Sequence, residues 1–361
     1  AQGDTTDDLI EKAREINPDA SRREMDMLLS CGEQMSIALM AMAIEKLGFP
    51  VVSLCAWQIG MATDSNHSAA HITKVDCERV KEELDRKRIV LAAGFQGVDR
   101  TGDITTLGRG GSDTTAVALA VALQADLCQI YTDVDGVYTS DPRIVPEARK
   151  LSEITYDEML ELASMGAQVL HNRSVELAKS YGVQLEVLSS FTGNPGTIVK
   201  EVVKKVEKTY ITGVAQDKKI ARFALVGLED VPGVAYKLFN LLAKDKINVD
   251  MIIQSLGHDE RKDIIFTVAD KDSMACARLL DENKDVLKYD HMDINTGVSK
   301  VSIVGAGMLE NAGVAAKMFE ALYQAHINIH MISTSEIKVS VLIDKEDSDR
   351  AVRVIHNIFF Q

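Results

Sequence analysis

The chain has few of the features that mark a disulfide-stapled, zinc-binding or nucleic-acid-binding protein. Its 361 residues include five cysteines without a Cys-x-x-Cys pair, so neither a disulfide framework nor a zinc site is indicated. Basic residues are scarce: 40 lysines and arginines stand against 54 acidic residues, and the net charge of −14 argues against a nucleic-acid partner. An anionic substrate is compatible with this charge only where its site is locally basic or assisted by a metal.

The sequence pattern also indicates neither a signal peptide nor a membrane span. We expect no apolar run to be long enough to cross a bilayer, and the first residues, Ala1-Gln-Gly-Asp-Thr, lack a basic region followed by an apolar one. These observations predict a cytoplasmic protein with no membrane partner. The composition, 46% hydrophobic and 26% charged, is typical of globular proteins, and the length predicts two or three domains.

The most informative segment is Thr105-Thr-Leu-Gly-Arg-Gly-Gly-Ser-Asp-Thr-Thr115, which leads into an apolar stretch. Its glycines permit a tight bend that brings backbone N–H groups close to a ligand, and Ser112 and Asp113 are N-cap residue types. A helix N-terminus attracts anions, and Arg109 adds a planar fork for a carboxylate or phosphate. Local chemistry alone leaves two interpretations, an anion site or a loop that merely begins a helix.

Strand and helix patterns alternate over the first 200 residues. Short apolar runs predict strands at 51–54, 89–93, 127–131 and 185–188. Helical periodicity predicts helices at 34–47, 75–87, 114–125, 156–165 and 172–181. The helix at 34–47 is apolar on nearly every side, so we expect it to be buried. The alternation predicts an α/β domain with a largely parallel sheet, in which ligands bind at the carboxyl ends of strands.

An internal repeat follows a lysine-rich stretch at 200–208. Residues 232–255 align with 312–335 at an offset of 80, and 11 of 24 positions are identical. Each copy has the pattern strand, Gly-rich turn, amphipathic helix, strand, strand, helix. We therefore predict a domain boundary near residue 200 and two small ferredoxin-like (βαββαβ) domains, at 215–292 and 296–361.

Three segments together resemble aspartate kinase. They are Gly32-Glu33, the run from Phe95-Gln-Gly to Gly108-Arg-Gly-Gly-Ser-Asp113, and Tyr131-Thr-Asp-Val-Asp-Gly-Val-Tyr-Thr-Ser-Asp-Pro-Arg143. The tandem repeat resembles the paired ACT domains of that enzyme. The resemblance implies an amino-acid-kinase fold over residues 1–200, a three-layer α/β sandwich truncated at its N-terminus, followed by two ACT domains.

The same resemblance implies an activity. It is the ATP-dependent phosphorylation of the β-carboxylate of L-aspartate to 4-phospho-L-aspartate, the first step toward lysine, threonine and methionine, under feedback control by amino acids. The implied cofactor is ATP with Mg²⁺, and no protein ligand of the metal is assigned. Because the nucleophile is already an ionised carboxylate, the reaction needs positioning and charge neutralisation rather than a general base.

The resemblance also assigns the substrate site. Arg109 would bind the α-carboxylate and Glu33 the α-ammonium, with hydroxyl contacts from Thr5 and Ser112. Without the motif, Glu33 would be interpreted as a solvated helix carboxylate. The residues assigned to the transferring phosphate are Gly110, Gly111 and Asp113. Asp113 either organises the cationic groups and Mg²⁺ or simply caps the helix.

The nucleotide is assigned to the segment that follows the strand at 127–131. By resemblance, Thr132 and Asp133 contact ATP, Tyr138 packs near the adenosine, and Arg143 approaches the phosphates. Spacing alone would favour a surface turn at 133–136. Two histidines, His67 and His171, have no metal-ligand partners at helical spacing, and we expect structural roles for them.

The repeats are expected to bind amino-acid effectors, lysine and/or threonine. The residues assigned to the first copy are Asp230, Gly233, Val234, Ala235, Asn248 and Gln254. The residues assigned to the second copy are Val314, Ala315, Asn328 and Ile329. Backbone groups beside a Gly-rich turn can hold an amino acid, although the second copy could equally be a packing turn. Exposed sheet edges in such modules predict a homodimer or an α2β2 heterotetramer.

The sequence departs from the aspartate kinase pattern at two places. As given, it begins inside the segment Ser-Ala-Met-Gly-x-Thr-Thr, and nothing matches the Lys-Phe-Gly-Gly-Thr-Ser loop; we expect the 361 residues alone to be poorly active. Gln168 stands where many relatives carry a lysine near the nucleotide. These departures leave an alternative open, a non-catalytic amino-acid sensor with a degenerate kinase domain.

Overall fold

A computed structural model describes residues 1–164, 169–203, 211–256, 261–308, 311 and 313–361. Gln168 lies outside these described residues. The chain divides into two compact units, formed by the described residues of 1–137, 151–163 and 168–203 and by those of 138–150, 164–167 and 204–361. The predicted boundary near residue 200 therefore has an exception, because 138–150 lies within the predicted kinase domain and belongs to the second unit.

The first unit alternates helices and short strands. Its helices are α1 (Thr5–Ile16), α2 (Arg22–Lys46), α3 (Glu78–Asp85), α4 (Gly111–Leu123), α5 (Tyr156–Ser164) and α6 (Asn172–Tyr181). Its strands are β1 (Val51–Leu54), β2 (Met61–Thr63), β3 (Ile72–Val75), β4 (Ile89–Ala92), β5 (Gln96–Val98), β6 (Ile104–Thr106), β7 (Cys128–Thr132), β8 (Glu153–Thr155), β9 (Leu185–Ser189) and β10 (Thr197–Lys200).

The strands predicted from apolar runs form parallel pairs in the structure. β1 pairs with β4, and β7 pairs with β9 in the sheet β7-β9-β10-β8. β10–β8 and β2–β5 are also parallel, whereas β9–β10, β2–β3 and β5–β6 are antiparallel. β1 and β4 carry apolar or small residues on both faces, as expected of strands covered by helices, whereas β7 exposes Gln129 and Tyr131 on one face. The α/β class with largely parallel pairing is confirmed.

Helix α2 departs from two expectations. Its 25 residues are long and apolar enough to cross a membrane by length and composition alone, so the expectation that no apolar run reaches that length was wrong. It is also not buried, because Met35, Leu39 and Met42 are 58%, 53% and 62% exposed. The helix packs against α1, β1, β4 and β6, and buries Asp26, Ser30 and Gly32 there. One face is therefore held by the domain while the apolar side chains of the other remain open to solvent.

The second unit contains the two repeat copies. Its helices are α7 (Val234–Lys244), α8 (Ser273–Glu282), α9 (Lys284–Leu287), α10 (Val314–Gln324) and α11 (Ser348–Phe360). Its strands are β11 (Gly213–Asp217), β12 (Ile220–Glu229), β13 (Val249–Leu256), β14 (Arg261–Ala269), β15 (His291–Asn295), β16 (Val298–Val304), β17 (Met331–Thr334) and β18 (Lys338–Asp344).

Each copy builds a four-stranded antiparallel sheet, but the boundaries differ from the predicted ones. The first sheet has the order β13-β14-β12-β15, as a βαββαβ module requires. The second has the order β11-β16-β18-β17, so its outer strand comes from residues that precede the first copy. The predicted module at 215–292 therefore includes part of a strand that belongs to the other sheet.

Residues 138–150 pack into the core of the second copy. The Val145 side chain is fully buried in a cluster that includes Ile303 and Ile355. The Thr139 carbonyl accepts a hydrogen bond from the Val214 amide (2.8 Å), and Thr139 Oγ1 lies 2.9 Å from His356 Nε2. Burial lowers the pKa of the His356 imidazole. This segment is thus part of the second unit's fold.

Candidate functional site

The glycine-rich loop begins where β6 ends and leads directly into α4. Gly110, with φ of +69°, is the N-cap residue of α4, and no side chain caps the helix. The predicted capping by Ser112 and Asp113 is therefore wrong. Because Gly110, in the left-handed region, starts the helix before Ser112 and Asp113, these two residues fall inside its first turn. Further along, the Thr114 and Thr115 hydroxyls donate to the carbonyls of Gly110 and Gly111.

A histidine ring fixes the conformation of this loop at Gly110. A Cβ atom built on Gly110 would lie 2.2 Å from Cγ of His171, so the glycine hydrogen is all that fits beneath the ring. The His171 backbone N–H bonds to the Asp113 carboxylate, whose pKa is raised by burial. Among the described residues, the buried Nδ1 of His171 has no hydrogen-bond partner. The structural role expected for His171 is thus one of supporting the loop.

The cation of the loop is available to a ligand. Arg109 is exposed, and its guanidinium forms no hydrogen bond or ion pair with any residue that the structure describes. Ser112 is exposed beside it on the first turn of α4, where a Cβ on Gly94 would lie 3.2 Å from the Ser112 hydroxyl. The Gly111 amide, in contrast, already donates to the Gly108 carbonyl (3.0 Å), so it serves the turn and not an anion.

Glu33 offers a partly accessible carboxylate on α2. Its side chain is 14% exposed. Thr5 lies close by, since a Cβ on Gly32 would be 3.4 Å from Thr5 Cγ2. The Thr5 hydroxyl donates to the Gln2 carbonyl (2.6 Å). The structure thus brings Thr5 to the segment that carries Glu33, and the carboxylate is accessible to a small cation.

Two further residues hold the loop, and the sequence did not single them out. Arg173, on the first turn of α6, donates to the Leu107 carbonyl (2.6 Å) and to the Ala70 carbonyl (2.9 Å). Asp26, fully buried on α2, accepts a hydrogen bond from the Thr106 amide at 3.0 Å. A carboxylate within an apolar helix was the one available sequence signal, because a buried charge requires partners.

The residues assigned to the nucleotide fall in both units. Thr132 ends β7 at the carboxyl edge of its sheet, and its hydroxyl donates to the Asp133 carboxylate at 3.0 Å. Tyr138 and Arg143 belong to the second unit, and Arg143 pairs with Asp141 at 2.7 Å while 89% of its side chain is exposed. The structure supports a carboxyl-end location for Thr132 and Asp133, as expected for an α/β sheet.

One cluster of possible metal ligands occurs among the described residues. Ligand atoms of His67, Asp99 and Asp103 lie within 4.8 Å of one another, although their sequence spacing did not suggest it. The positive charge of the Arg23 guanidinium already neutralises part of this cluster, because Arg23 Nη2 lies 2.7 Å from Asp103 Oδ1. Mg²⁺ in kinases is typically held by one or two carboxylates with substrate phosphates and water, and Asp113 and Asp133 have the right donor chemistry for that arrangement.

The effector residues of the first copy surround the start of α7. Gly233, with φ of +93°, caps this helix, whose first turn contains Val234 and Ala235. Asp230 forms an ion pair with Lys262 at 2.6 Å. Gln254 lies on β13, and Asn248 directly precedes that strand.

The second copy has an open pocket at the matching turn. Val314 and Ala315 line a cavity of about 300 Å³ together with Asn311 and Glu336. Asn328 and Ile329 are not among its lining residues and precede β17. A volume of about 300 Å³ is large enough for an amino acid, so the effector site of the second copy stays a prediction beside the packing alternative.

Comparisons with known proteins agree with this architecture. The profile described as "Amino acid kinase family" matches residues 1–189, and the one described as "ACT domain" matches residues 223–283 and 301–359. The chain is thus an amino-acid kinase that carries tandem ACT regulatory modules.

Relatives and solved structures narrow the class. The aspartokinase of Bacillus sp. (strain MGA3) is 47% identical over 359 residues, 99% of this chain and 87% of the relative. The aspartokinase of Corynebacterium glutamicum is 48% identical over 364 residues, 99% of this chain and 86% of the relative. The structure of E. coli aspartokinase III with aspartate and ADP superposes with a TM-score of 0.83 at 26% identity, covering 98% of this chain and 80% of that one. The chain belongs to the aspartokinase family, and the relatives do not favour the non-catalytic sensor.

Proposed function

We propose that this chain transfers the γ-phosphoryl group of ATP to the β-carboxylate of L-aspartate. The carboxylate oxygen forms the new P–O bond, the bond to the ADP oxygen breaks, and both charges stay on oxygen, so no proton moves. The observation that carries the proposal is a pair of opposite charges: an unpaired Arg109 guanidinium on the glycine-rich loop and a partly accessible Glu33 carboxylate on α2. These two charges complement the α-carboxylate and α-ammonium of an amino acid.

The remaining assigned residues have consistent roles. Thr5 and Ser112 would supply hydroxyl contacts to the substrate, and Gly110 would let the loop approach the transferring group. Asp113 and Asp133 would hold Mg²⁺, which neutralises charge on the phosphates when bound. The residues proposed for the nucleotide are Thr132, Asp133, Tyr138 and Arg143.

Substituting Arg109 tests the substrate site. Loss of a charge-assisted hydrogen bond worth about 1.5–3 kcal/mol predicts a fall of about 10- to 150-fold in kcat/KM for aspartate in Arg109→Ala. A coupled assay for aspartyl phosphate on the full-length protein measures it, with Arg22→Ala, an exposed arginine on α2, as the control. A wild-type kcat/KM in Arg109→Ala would refute the assignment of Arg109 to the aspartate site.

Regulation is proposed for the turns of the two repeats. We expect lysine, threonine or both to bind near Gly233 and in the pocket beside Val314, in an enzyme of the cytoplasm. Apolar strand residues exposed on the repeats, Ile252 (52%) and Ile332 (44%), support association into a homodimer or an α2β2 assembly. Calorimetry with each amino acid, and light scattering for the mass, would test these two proposals separately.

A further inference from the structure

We propose that Asp26 is a positioning residue that sets the substrate loop, residues 107–111, against the helix that carries Glu33. The inference rests on the proposed aspartate site. Asp26 touches no substrate in this assignment, and it acts through the backbone of two other segments.

The Asp26 carboxylate is the meeting point of five donors. Its side chain is fully buried and accepts hydrogen bonds from the Thr106 amide (3.0 Å) and the Thr106 hydroxyl (2.7 Å). The Ser68 amide donates to both oxygens (2.9 and 3.1 Å), and the Ser68 hydroxyl lies at 3.3 Å. Nδ1 of His67 lies 3.0 Å from Oδ2. Every donor belongs to one of two segments, the end of β6 or the loop at 67–68.

Both segments control the position of the substrate loop. Thr106 precedes the loop directly and stands three residues before Arg109. The Ser68 carbonyl packs beneath Gly108, because a Cβ on that glycine would lie 2.9 Å from it. The Asp26 carboxylate therefore fixes the substrate loop at Thr106, which directly precedes it, and through Ser68, whose carbonyl packs against Gly108.

Asp26 also shares a helix face with Glu33. The two residues stand seven positions apart on α2, which is close to two helical turns, so both project from the same side. Arg109 and Glu33 must bind two groups on the same carbon of one small substrate, and the distance between the two residues depends on how α2 is fixed to β6. Asp26 attaches α2 to the end of β6 that leads into the substrate loop by charge-assisted hydrogen bonds, whereas the Arg23–Asp103 pair lies at the opposite end of β6. An error of about 1 Å in the placement of a substrate-binding group can cost about 100-fold in rate.

Replacing the Asp26 carboxylate by an amide removes its charge while keeping its size and shape. Asp26→Asn keeps the volume, but one oxygen becomes an NH₂ group that faces donors on either side, since both oxygens accept from backbone amides. The loop must then move away from α2.

Glu83 provides the matched control. It is also a fully buried carboxylate of the first unit, and it pairs with Arg79 (2.6 Å), Arg86 (3.2 Å) and Arg88 (2.9 Å) on or next to its own helix. Glu83→Gln therefore removes a comparable buried charge without touching the substrate loop.

The experiment compares the variants in the full-length protein by thermal unfolding and steady-state kinetics. We expect Asp26→Asn to lower kcat/KM for aspartate at least about tenfold, mainly through KM, while Glu83→Gln lowers the melting temperature by a similar amount but keeps kcat/KM within about twofold. Thr106→Ser should retain most activity, and Thr106→Val, which lacks the hydroxyl donor, should lose it.

Each outcome has a defined meaning. Equal losses of kcat/KM in Asp26→Asn and Glu83→Gln would show a merely structural role, and so would equal activity of Thr106→Ser and Thr106→Val. The Thr106 pair tests the positioning role even where Asp26→Asn does not fold. Arg109→Ala is assayed alongside: wild-type kinetics there refute the proposed aspartate site, whereas loss there with unchanged Asp26→Asn refutes only the positioning role.

Discussion

Replacing Gly110 with alanine should disrupt the substrate loop through two separable effects. The residue has a φ of +69°, and the left-handed region costs a non-glycine residue about 1–2 kcal/mol. The new methyl group would also lie 2.2 Å from Cγ and 2.3 Å from Cβ of His171, atoms near the backbone that cannot swing aside. Overpacking of this kind typically costs a further 1–3 kcal/mol or so, which gives a total of about 2–5 kcal/mol.

Gly182 separates the two effects because it has the same φ of +69° with no atom within 4 Å of a built Cβ. Gly182→Ala should therefore lose only about 1–2 kcal/mol. Adding His171→Gly, which removes both Cβ and Cγ, to Gly110→Ala should recover the steric part, a coupling of about 1–3 kcal/mol in a double-mutant cycle.

Urea unfolding of the four variants gives the free energies, and the aspartyl phosphate assay reports the loop. Gly110→Ala should lose at least about 100-fold in kcat/KM, the scale of a displacement near 1 Å. Equal destabilisation by Gly110→Ala and Gly182→Ala, or no recovery on removing the whole His171 side chain, would refute the packing described for this loop.

Three further results are expected. Burial lowers the pKa of His356 below 6.5, so at pH values below 6.5 the unfolded state binds more protons than the folded state. The free energy of unfolding should therefore fall by up to about 1.4 kcal/mol for each unit that the pH is lowered. In pH-dependent unfolding, His356→Gln should remove this slope, and the exposed His291→Gln should not. Cys31 is exposed and should react quickly with a thiol reagent, whereas buried Cys276, whose pKa is raised to about 12, should react only on unfolding; early labelling of Cys276 would contradict its burial. Because burial raises the pKa of the Asp113 carboxyl, its ionised form destabilises the metal-free fold, so Asp113→Asn should raise the free energy of unfolding at pH 7 and lose that gain at about pH 3; no gain at pH 7 would contradict the effect of burial.

Sequence patterns predicted the apolar parallel strands well and the polar short strands poorly. β1 matched its predicted bounds because four consecutive apolar or small residues face helices on both sides. β2, β5 and β6 were missed, since they are three residues long and bury polar side chains: Thr63 Oγ1 bonds to Thr105 Oγ1 at 2.6 Å. Such pairing satisfies buried hydroxyls between strands distant in sequence, and no local periodicity reveals it.

The same limit applies to the candidate site. Arg109 and Glu33 could be named from short motifs because their roles depend on neighbours in sequence. Asp26 could not, because its partners Ser68 and Thr106 are 42 and 80 residues away. Residues that support a site through long-range contacts have no spacing signature, so they emerge only from the fold.

Because of strand β11, the two repeat copies cannot be separated in sequence into two complete domains. It precedes the first copy in the chain, yet it pairs with β16, more than 80 residues further on, to complete the second sheet. Cutting the chain between the copies would leave the second with three strands and the first with an unpaired fifth. During synthesis, β11 must wait until the whole first copy has emerged before its backbone finds a partner. A graft of the second regulatory sheet onto another enzyme therefore has to carry residues 213–217, as an added segment or a circularly permuted one.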